Sequence, residues 1–171
     1  MTLEHRSPPA PVDPIAEAVR QWADHDLGAL DHMEATTALM RIQQIIVARI
    51  DLELRRFNLT FPQYEALVLL YFSRGGALPL GRMGRRLMVH PATVTNTIDQ
   101  LESKRFVRRQ PHVADRRSIL AKITARGRNV AREASDALVE VKFGIVDMTD
   151  QEAQTIASSI RQYRERISDF V

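Results

Sequence analysis

Apolar positions along this chain keep a helical spacing for about a hundred residues, switch briefly to alternation, and then return to helical spacing. Ile15, Val19 and Trp22, after Pro14, fall at i, i+4 and i+7 and predict a first helix that breaks in the acidic stretch Ala23 to Asp31, which contains Gly28. Leu39, Ile42, Ile46, Ile50 and Leu54 sustain a long helix from about Met33 to Phe57. Thr60 and Gln63 form a T-x-x-Q capping box with Pro62 in the first turn. The helix they open carries Tyr64, Leu67, Val68 and Tyr71 and ends near Ser73, before Gly75 and Gly76. A short helix is predicted over Leu80 to Leu87, and Val89-His90-Pro91 separates it from another over Ala92 to Lys104.

The period then drops from 3.6 to 2. Phe106 to Gln110 and Ser118 to Ile123 read as two strands either side of a turn over Pro111 to Arg117. Thr124 caps a long helix running to about Val146. A second box, Thr149 with Glu152, opens a last helix in which Ile156, Ile160, Tyr163, Ile167 and Phe170 recur to the C-terminus. The order gives a mostly α fold with a small β-hairpin, and a helix-turn-helix followed by a two-stranded wing is one reading of it.

Charge sharpens this picture. Between Arg82 and Arg132, thirteen of fifty-one residues are basic and three are acidic (Asp99, Glu102 and Asp115), a balance of +10. The rest of the chain carries −7, so the net +3 conceals a strong segregation. A polyanion-binding face needs several cations on one surface, because each one set against a phosphate releases condensed counterions. Composition adds boundaries. There are no cysteines, which removes disulfides and thiolate chemistry. No apolar run approaches the roughly 18 residues of a membrane span. The leader holds no signal-like apolar stretch, so a cytoplasmic location with no membrane partner is expected.

The segment His90 to Leu101 carries the sharpest chemistry. Val94, Ile98 and Leu101 form an inward stripe, leaving Ala92, Thr93, Thr95, Asn96, Asp99 and Gln100 outward. Asn and Gln can pair with adenine edges and a Thr methyl can meet that of thymine. The alternative is an ordinary amphipathic helix, but a row of three Thr lowers helix propensity and needs a reason. The candidate DNA contacts are therefore His90, Pro91, Thr93, Thr95, Asn96 and Gln100, with Arg86 from the helix before. In the turn, Arg116 and Arg117 suit a minor groove, and Asp115 can orient the Arg117 fork. A solvated hairpin is the plainer reading of that loop.

These residues resemble the multiple antibiotic resistance regulator (MarR) family of winged-helix transcription factors. The resemblance rests on T-V-T-x-x-I-D-x-L-E at Thr93–Glu102, F-V-R-R at Phe106–Arg109, D-x-R-S at Asp115–Ser118 and I-T-x-x-G at Ile123–Gly127, and extends over about 33–171. It implies a winged helix-turn-helix with N- and C-terminal dimerisation helices, an obligate homodimer built on those helices, Arg117 in the minor groove, and a repressor released by a small effector. With it, the expected divisions are a disordered leader over 1–13, N-terminal helices for dimerisation and a ligand cleft over 14–58, a winged helix-turn-helix DNA-binding domain over 59–123, and C-terminal dimerisation helices over 124–171. Two positions depart from the family pattern. Thr97 stands where a basic residue is common, and Lys104-Arg105 stands where a glycine usually follows a charged residue.

The first helix with Trp22 also resembles an extended subgroup that binds urate or related anions. Trp22 and Arg109 match two of that subgroup's positions, Glu65 stands for its acidic partner, and Thr97 replaces its basic one. One charge is thereby lost, which favours a more apolar anion such as an aromatic acid or acyl thioester. The candidate ligand residues are Trp22 as an aromatic wall, Arg41 and Arg109 as anchors, and Gln44 and Tyr64 as hydrogen-bond partners. Dimer packing is the alternative for Trp22. Met40 and Met88 could soften such a pocket, although methionine more often fills gaps in a core.

Other classes have less support. Asp24-His25-Asp26 and Asp31-His32-Met33-Glu34 have the composition of a metal-ligand cluster, so a metal-sensing regulator is an alternative; a solvated acidic connection is the commoner use. A ligand-independent architectural DNA-binding protein and a helical interaction module are further alternatives. An enzyme is not expected: there is no Gly-rich phosphate loop, cysteine nucleophile, G-x-S-x-G or spaced His pair, and no cofactor is implied.

Overall fold

The computed structural model describes residues 12–112 and 115–169, with the side chains of 112 and 115–118 outside the description. Among the described residues, seven α-helices and three strands follow in order: α1 (Pro14–Asp24), α2 (Leu30–Leu54), α3 (Phe61–Phe72), β1 (Ala77–Pro79), α4 (Leu80–Leu87), α5 (Pro91–Ser103), β2 (Val107–His112), β3 (Asp115–Ile123), α6 (Ala125–Glu140) and α7 (Asp150–Arg166). Internal contacts divide the chain into two compact units, Met1–Ile45 and Ile46–Val171.

In the first unit, α1 is nucleated locally. Asp13 caps it by accepting from the Ile15 amide at 2.9 Å, and Pro14 occupies the first turn, where its missing N–H costs nothing. Glu17 pairs with Arg20 and accepts from Gln21, and these contacts hold its carboxyl below the usual carboxylate range. After the break, the Trp22 indole N–H donates to the Gly28 carbonyl at 3.0 Å. No residue of α1 is buried. Asp26 and Ala29 take left-handed backbone between α1 and α2, which is where the acidic, glycine-containing stretch predicted a break.

The second unit owns the core. Ile50 and Leu54 from the end of α2 join Leu67 and Leu70 of α3, Met83 of α4, Val94, Ile98 and Leu101 of α5, and Ala131, Ala134 and Leu138 of α6. Val107, Ala121 and Ile123 add the inner face of an antiparallel sheet ordered β1-β3-β2. β2 lies against β3 from Val107 opposite Ile123 to Pro111 opposite Ile119, and the register shifts after Pro111. Gly127 is fixed by packing: a Cβ there would sit 2.1 Å from the Phe106 carbonyl oxygen, so α6 can start against the sheet only with no side chain at that point.

Several expectations change. β1 was not predicted; it is a three-residue edge strand pairing Ala77 to Pro79 with Lys122 to Leu120. The hairpin strands run further than expected, and β3 begins at Asp115, inside the predicted turn. The helix predicted from Thr124 to Val146 stops at Glu140, because Lys142, Phe143 and Gly144 all take positive φ. α7 ends at Arg166 rather than at the C-terminus, and Phe170 lies outside the described residues. The expected boundary at residue 58 cuts through the core, since Ile50 and Leu54 pack with α3 and α5; α6 likewise belongs to that core as well as to the C-terminal helices. Of the leader expected over 1–13, residues 1–11 lie outside the described residues.

Candidate nucleic-acid interface

The geometry of α4 and α5 follows from three local devices. Met88 ends α4 in left-handed backbone, its amide reaching the Arg85 and Gly84 carbonyls. Gly84 lets the helices close: a Cβ there would lie 3.3 Å from the Val89 carbonyl and 3.4 Å from a Val94 methyl. His90 then caps α5, its Nδ1 accepting from the Ala92 amide at 3.2 Å. A His cap satisfies one of the unpaired amides at a helix start, and Pro91 needs none.

With Val94, Thr97, Ile98 and Leu101 buried beneath it, α5 turns its other face outward. His90, Pro91, Thr93, Thr95, Asn96 and Gln100 are all exposed, as are Arg82, Arg85 and Arg86 on α4. Not all are free. The Thr95 hydroxyl donates back to the Pro91 carbonyl at 3.1 Å, which leaves its methyl for contact. Gln100 donates to Asn96 at 3.3 Å and accepts from Gln63 at 2.5 Å, so it is already committed within the chain. Asn96 keeps its own amide N–H groups available, and is the better-placed reader of the two carboxamides.

Gln63 was legible only as a capping residue, yet it is buried and makes three contacts. Its Oε1 accepts from the Thr60 amide at 3.2 Å and from the Lys104 ammonium at 2.7 Å, while its Nε2 donates to Gln100. One side chain of α3 thus ties down the C-terminal end of α5. Thr97, where the resemblance suggested a basic residue, is buried against α3 instead and offers no charge to a ligand.

Arg109 carries the junction between wing and helix. Its guanidinium donates to Asp99, to Glu102 at 2.9 Å and to the Thr95 carbonyl at 3.3 Å, and its amide donates to Glu102 at 2.8 Å. β2 is therefore clipped to the outer edge of α5 by one side chain. Burial opposes the charge, but the hydrogen bonds and charges of Asp99 and Glu102 outweigh it and hold this guanidinium above its usual value. The backbone of Asp115, Arg116 and Arg117 lies at the start of β3; the roles expected of their side chains fall outside the described residues.

The candidate ligand residues are distributed over both units. Trp22, Arg41 and Gln44 belong to the first, and all three are exposed. Tyr64 and Arg109 belong to the second, where Tyr64 is buried with its hydroxyl 3.0 Å from that of Ser135. Arg109, expected as an open anion anchor, already holds two carboxylates. Glu65 lies beside Ala66, Leu87 and Val94, and burial raises its carboxyl above the ordinary range.

Among the described residues, no three His, Asp or Glu side chains gather as a metal site would require, so the clusters at 24–26 and 31–34 do not assemble one within the chain. The His25 ring instead lies 2.7 Å from the Gln21 carbonyl. Among the described residues, no helix is long and apolar enough to cross a membrane.

Comparison with known proteins agrees with this architecture. Residues 59–119, from the start of α3 into β3, match the model of the MarR family. The chain is 40% identical to Sco5413, a MarR family transcriptional regulator from Streptomyces coelicolor, over 82% of this chain and 97% of that one, with a TM-score of 0.77. Sco3205, a MarR family regulator from the same organism solved in complex with DNA, shares the fold at 20% identity and a TM-score of 0.72, over 82% and 93% of the two chains. Among characterised proteins it is similar to the HTH-type transcriptional regulator PecS of Dickeya dadantii, 26% identical over 145 residues, or 82% of this chain and 86% of PecS.

Proposed function

This chain belongs to the MarR family of DNA-binding transcriptional regulators, and from that premise we propose that it is a homodimeric repressor that binds an inverted-repeat operator and is released by a small organic anion. The observation that carries the DNA half is the outward face of α5. Thr93, Thr95 and Asn96 stand exposed on a helix whose opposite face is locked into the core, within the +10 segment of the chain. A helix that reads bases needs small polar side chains outside and an immobile backing. Arg82, Arg85 and Arg86 of α4 and Arg108 of β2 supply exposed cations for phosphates on either side. Two copies related by a two-fold axis would set two such helices about one DNA turn, ~34 Å, apart.

Selection from randomised duplexes tests this reading. An inverted repeat should emerge, and Asn96→Ala should cost roughly 1–3 kcal/mol on the selected site while relaxing preference at one base pair per half. Loss of affinity spread evenly over all sequences would show that α5 does not read bases.

For release, the Arg109 clip offers a route. An anion that draws Arg109 away from Asp99 and Glu102 frees the base of the wing from α5. Trp22, Arg41 and Gln44 of the first unit and Tyr64 of the second are the other candidate ligand positions to substitute once a ligand is in hand. A ligand shifts the equilibrium only by its differential affinity for two states, so a hundredfold loss of operator affinity needs about 2.7 kcal/mol of coupling. A thermal-shift screen of aromatic acids and acyl thioesters would find the ligand. Titration into free protein and into the operator complex would then decide, equal affinities meaning that it does not control DNA binding.

A further inference from the structure

Away from the reading face, at the C-terminal end of α5, a cavity of about 560 Å³ opens between that end, the 3-10 turn after α2 (Arg55–Phe57) and the first turns of α6. Four of its lining residues are cationic (Arg56, Lys104, Arg105 and Arg126), against one carboxylate, Glu133. The cavity is reached at Ser103, 13 residues beyond His90 and about 20 Å along a helix at 1.5 Å per residue, so its cations are not needed for contact with the groove that the start of α5 would enter.

These cations are positioned rather than scattered. The Arg126 guanidinium lies over the Phe106 ring at 5.4 Å, and Arg56 over Phe57 at 5.1 Å, contacts that hold a guanidinium flat without using its N–H donors. Lys104 spends two N–H groups on the Asn58 carbonyl and Gln63, both at 2.7 Å, and burial lowers its affinity for the proton. A third N–H remains. Arg56 is paired with Glu53 at 3.4 Å, whereas Arg105 and Arg126 have no acidic partner among the described residues. Arg105 also sits at φ 62°, a left-handed conformation in which glycine would be less strained. A side chain kept there against the backbone preference, at the mouth of a basic cavity, calls for a use.

We propose that this cavity binds a small organic phosphate, its dianionic head taken by Lys104, Arg105 and Arg126 and its carbon skeleton laid against Phe57 and Val130. Guanidinium groups suit the head because their paired N–H donors match two phosphate oxygens at once. The site is separate from the Arg109 clip, which does not line it.

Phenyl phosphate, inorganic phosphate and benzyl alcohol, titrated calorimetrically into the full chain, test the assignment. Phenyl phosphate should bind at least tenfold tighter than inorganic phosphate, and benzyl alcohol should give no saturable signal. Arg105→Gly relieves the left-handed backbone, so it should keep or raise the Tm while weakening phenyl phosphate at least tenfold; Arg126→Gln should weaken it similarly. Operator affinity of Arg105→Gly should stay within twofold of the parent protein. Unaltered phenyl phosphate binding in both variants would overturn the proposal. A tenfold loss of operator affinity in Arg105→Gly would also overturn it, since the cations would then serve the DNA backbone.

Discussion

α5 and α7 are amphipathic helices of similar length in the same compact unit, and they spend their apolar faces differently. α5 buries Val94, Thr97, Ile98 and Leu101, and Ile98 and Leu101 have no exposed surface at all. α7 buries nothing: Ile156, Ile160, Tyr163 and Ile167 stay 41–57% exposed along one stripe. The two helices also begin differently. α7 opens with a full capping box, in which the Thr149 hydroxyl accepts from the Glu152 amide at 3.3 Å and the Glu152 carboxylate accepts from the Thr149 amide at 2.8 Å. A helix without tertiary burial leans on such local support, since most helical stability comes from packing. α5, with three Thr and an Asn, needs its core to stay folded. Polar residues can thus be presented on α5 because its back is fixed, while the stripe of α7 is left for a partner, which we take to be a second copy.

The largest effect should come from the buried side of that comparison. Ile98→Ala empties fully buried volume and should cost about 2–5 kcal/mol of unfolding free energy, measured by urea denaturation at matched protein concentration. Ile160→Asp, on the exposed stripe, should leave monomer folding within about 0.5 kcal/mol, as surface changes do. It should instead weaken self-association at least a hundredfold, about 2.7 kcal/mol, by sedimentation equilibrium. If Ile160→Asp destabilises the monomer as much as Ile98→Ala does, the stripe packs within its own chain.

Arg109 joins α5 to the wing, and its loss should be intermediate. Arg109→Ala should reduce operator affinity about tenfold, roughly 1.4 kcal/mol, with little change in the salt slope, because the residue positions the wing rather than neutralising a phosphate. Arg109→Lys should recover only part, since one ammonium cannot hold Asp99 and Glu102 as Nη1 does and also reach the Thr95 carbonyl as Nη2 does. A salt slope that falls by about one in Arg109→Ala would place this side chain against DNA instead.

The smallest effect concerns pH. Burial raises the Glu65 carboxyl in the folded chain, so the native state releases that proton later than the unfolded state does. Its penalty is absent below the unfolded value and grows as pH rises through the folded one, so stability from this group declines over the range just above the usual carboxylate pKa. Glu65→Gln should flatten that decline, a modest change because the side chain is partly solvated. Urea midpoints for both proteins between pH 4 and 7 that run parallel would exclude the effect.

What was legible in the sequence was what local rules determine. Both capping boxes, the α4 limits and the inward stripe of α5 follow from spacing within a few residues, and the structure keeps them. What escaped depends on distant partners. β1 is three residues long, ends in a proline, and exists because β3, some forty positions later, offers it an edge. The break after Glu140 comes from Lys142 and Phe143 in left-handed backbone and from Gly144 packed so close to α2 that a Cβ would lie 3.2 Å from that of Arg49. Likewise, Arg109 reads as a free cation in a basic run, and only the return of β2 along α5 brings Asp99 and Glu102 to it. Gln63 is the same case, a capping residue by sequence and the tie between α3 and α5 in the fold.

Hydroxyl-radical footprinting on the selected operator tests the central claim most directly, that α5 reads DNA and that α7 pairs two chains to bring two such helices to one site. Two protected segments are expected, with centres one helical turn apart, about 10–10.5 base pairs, both lost together in Ile160→Asp at a concentration where the parent protein saturates. A single protected segment, unchanged by Ile160→Asp, would contradict it.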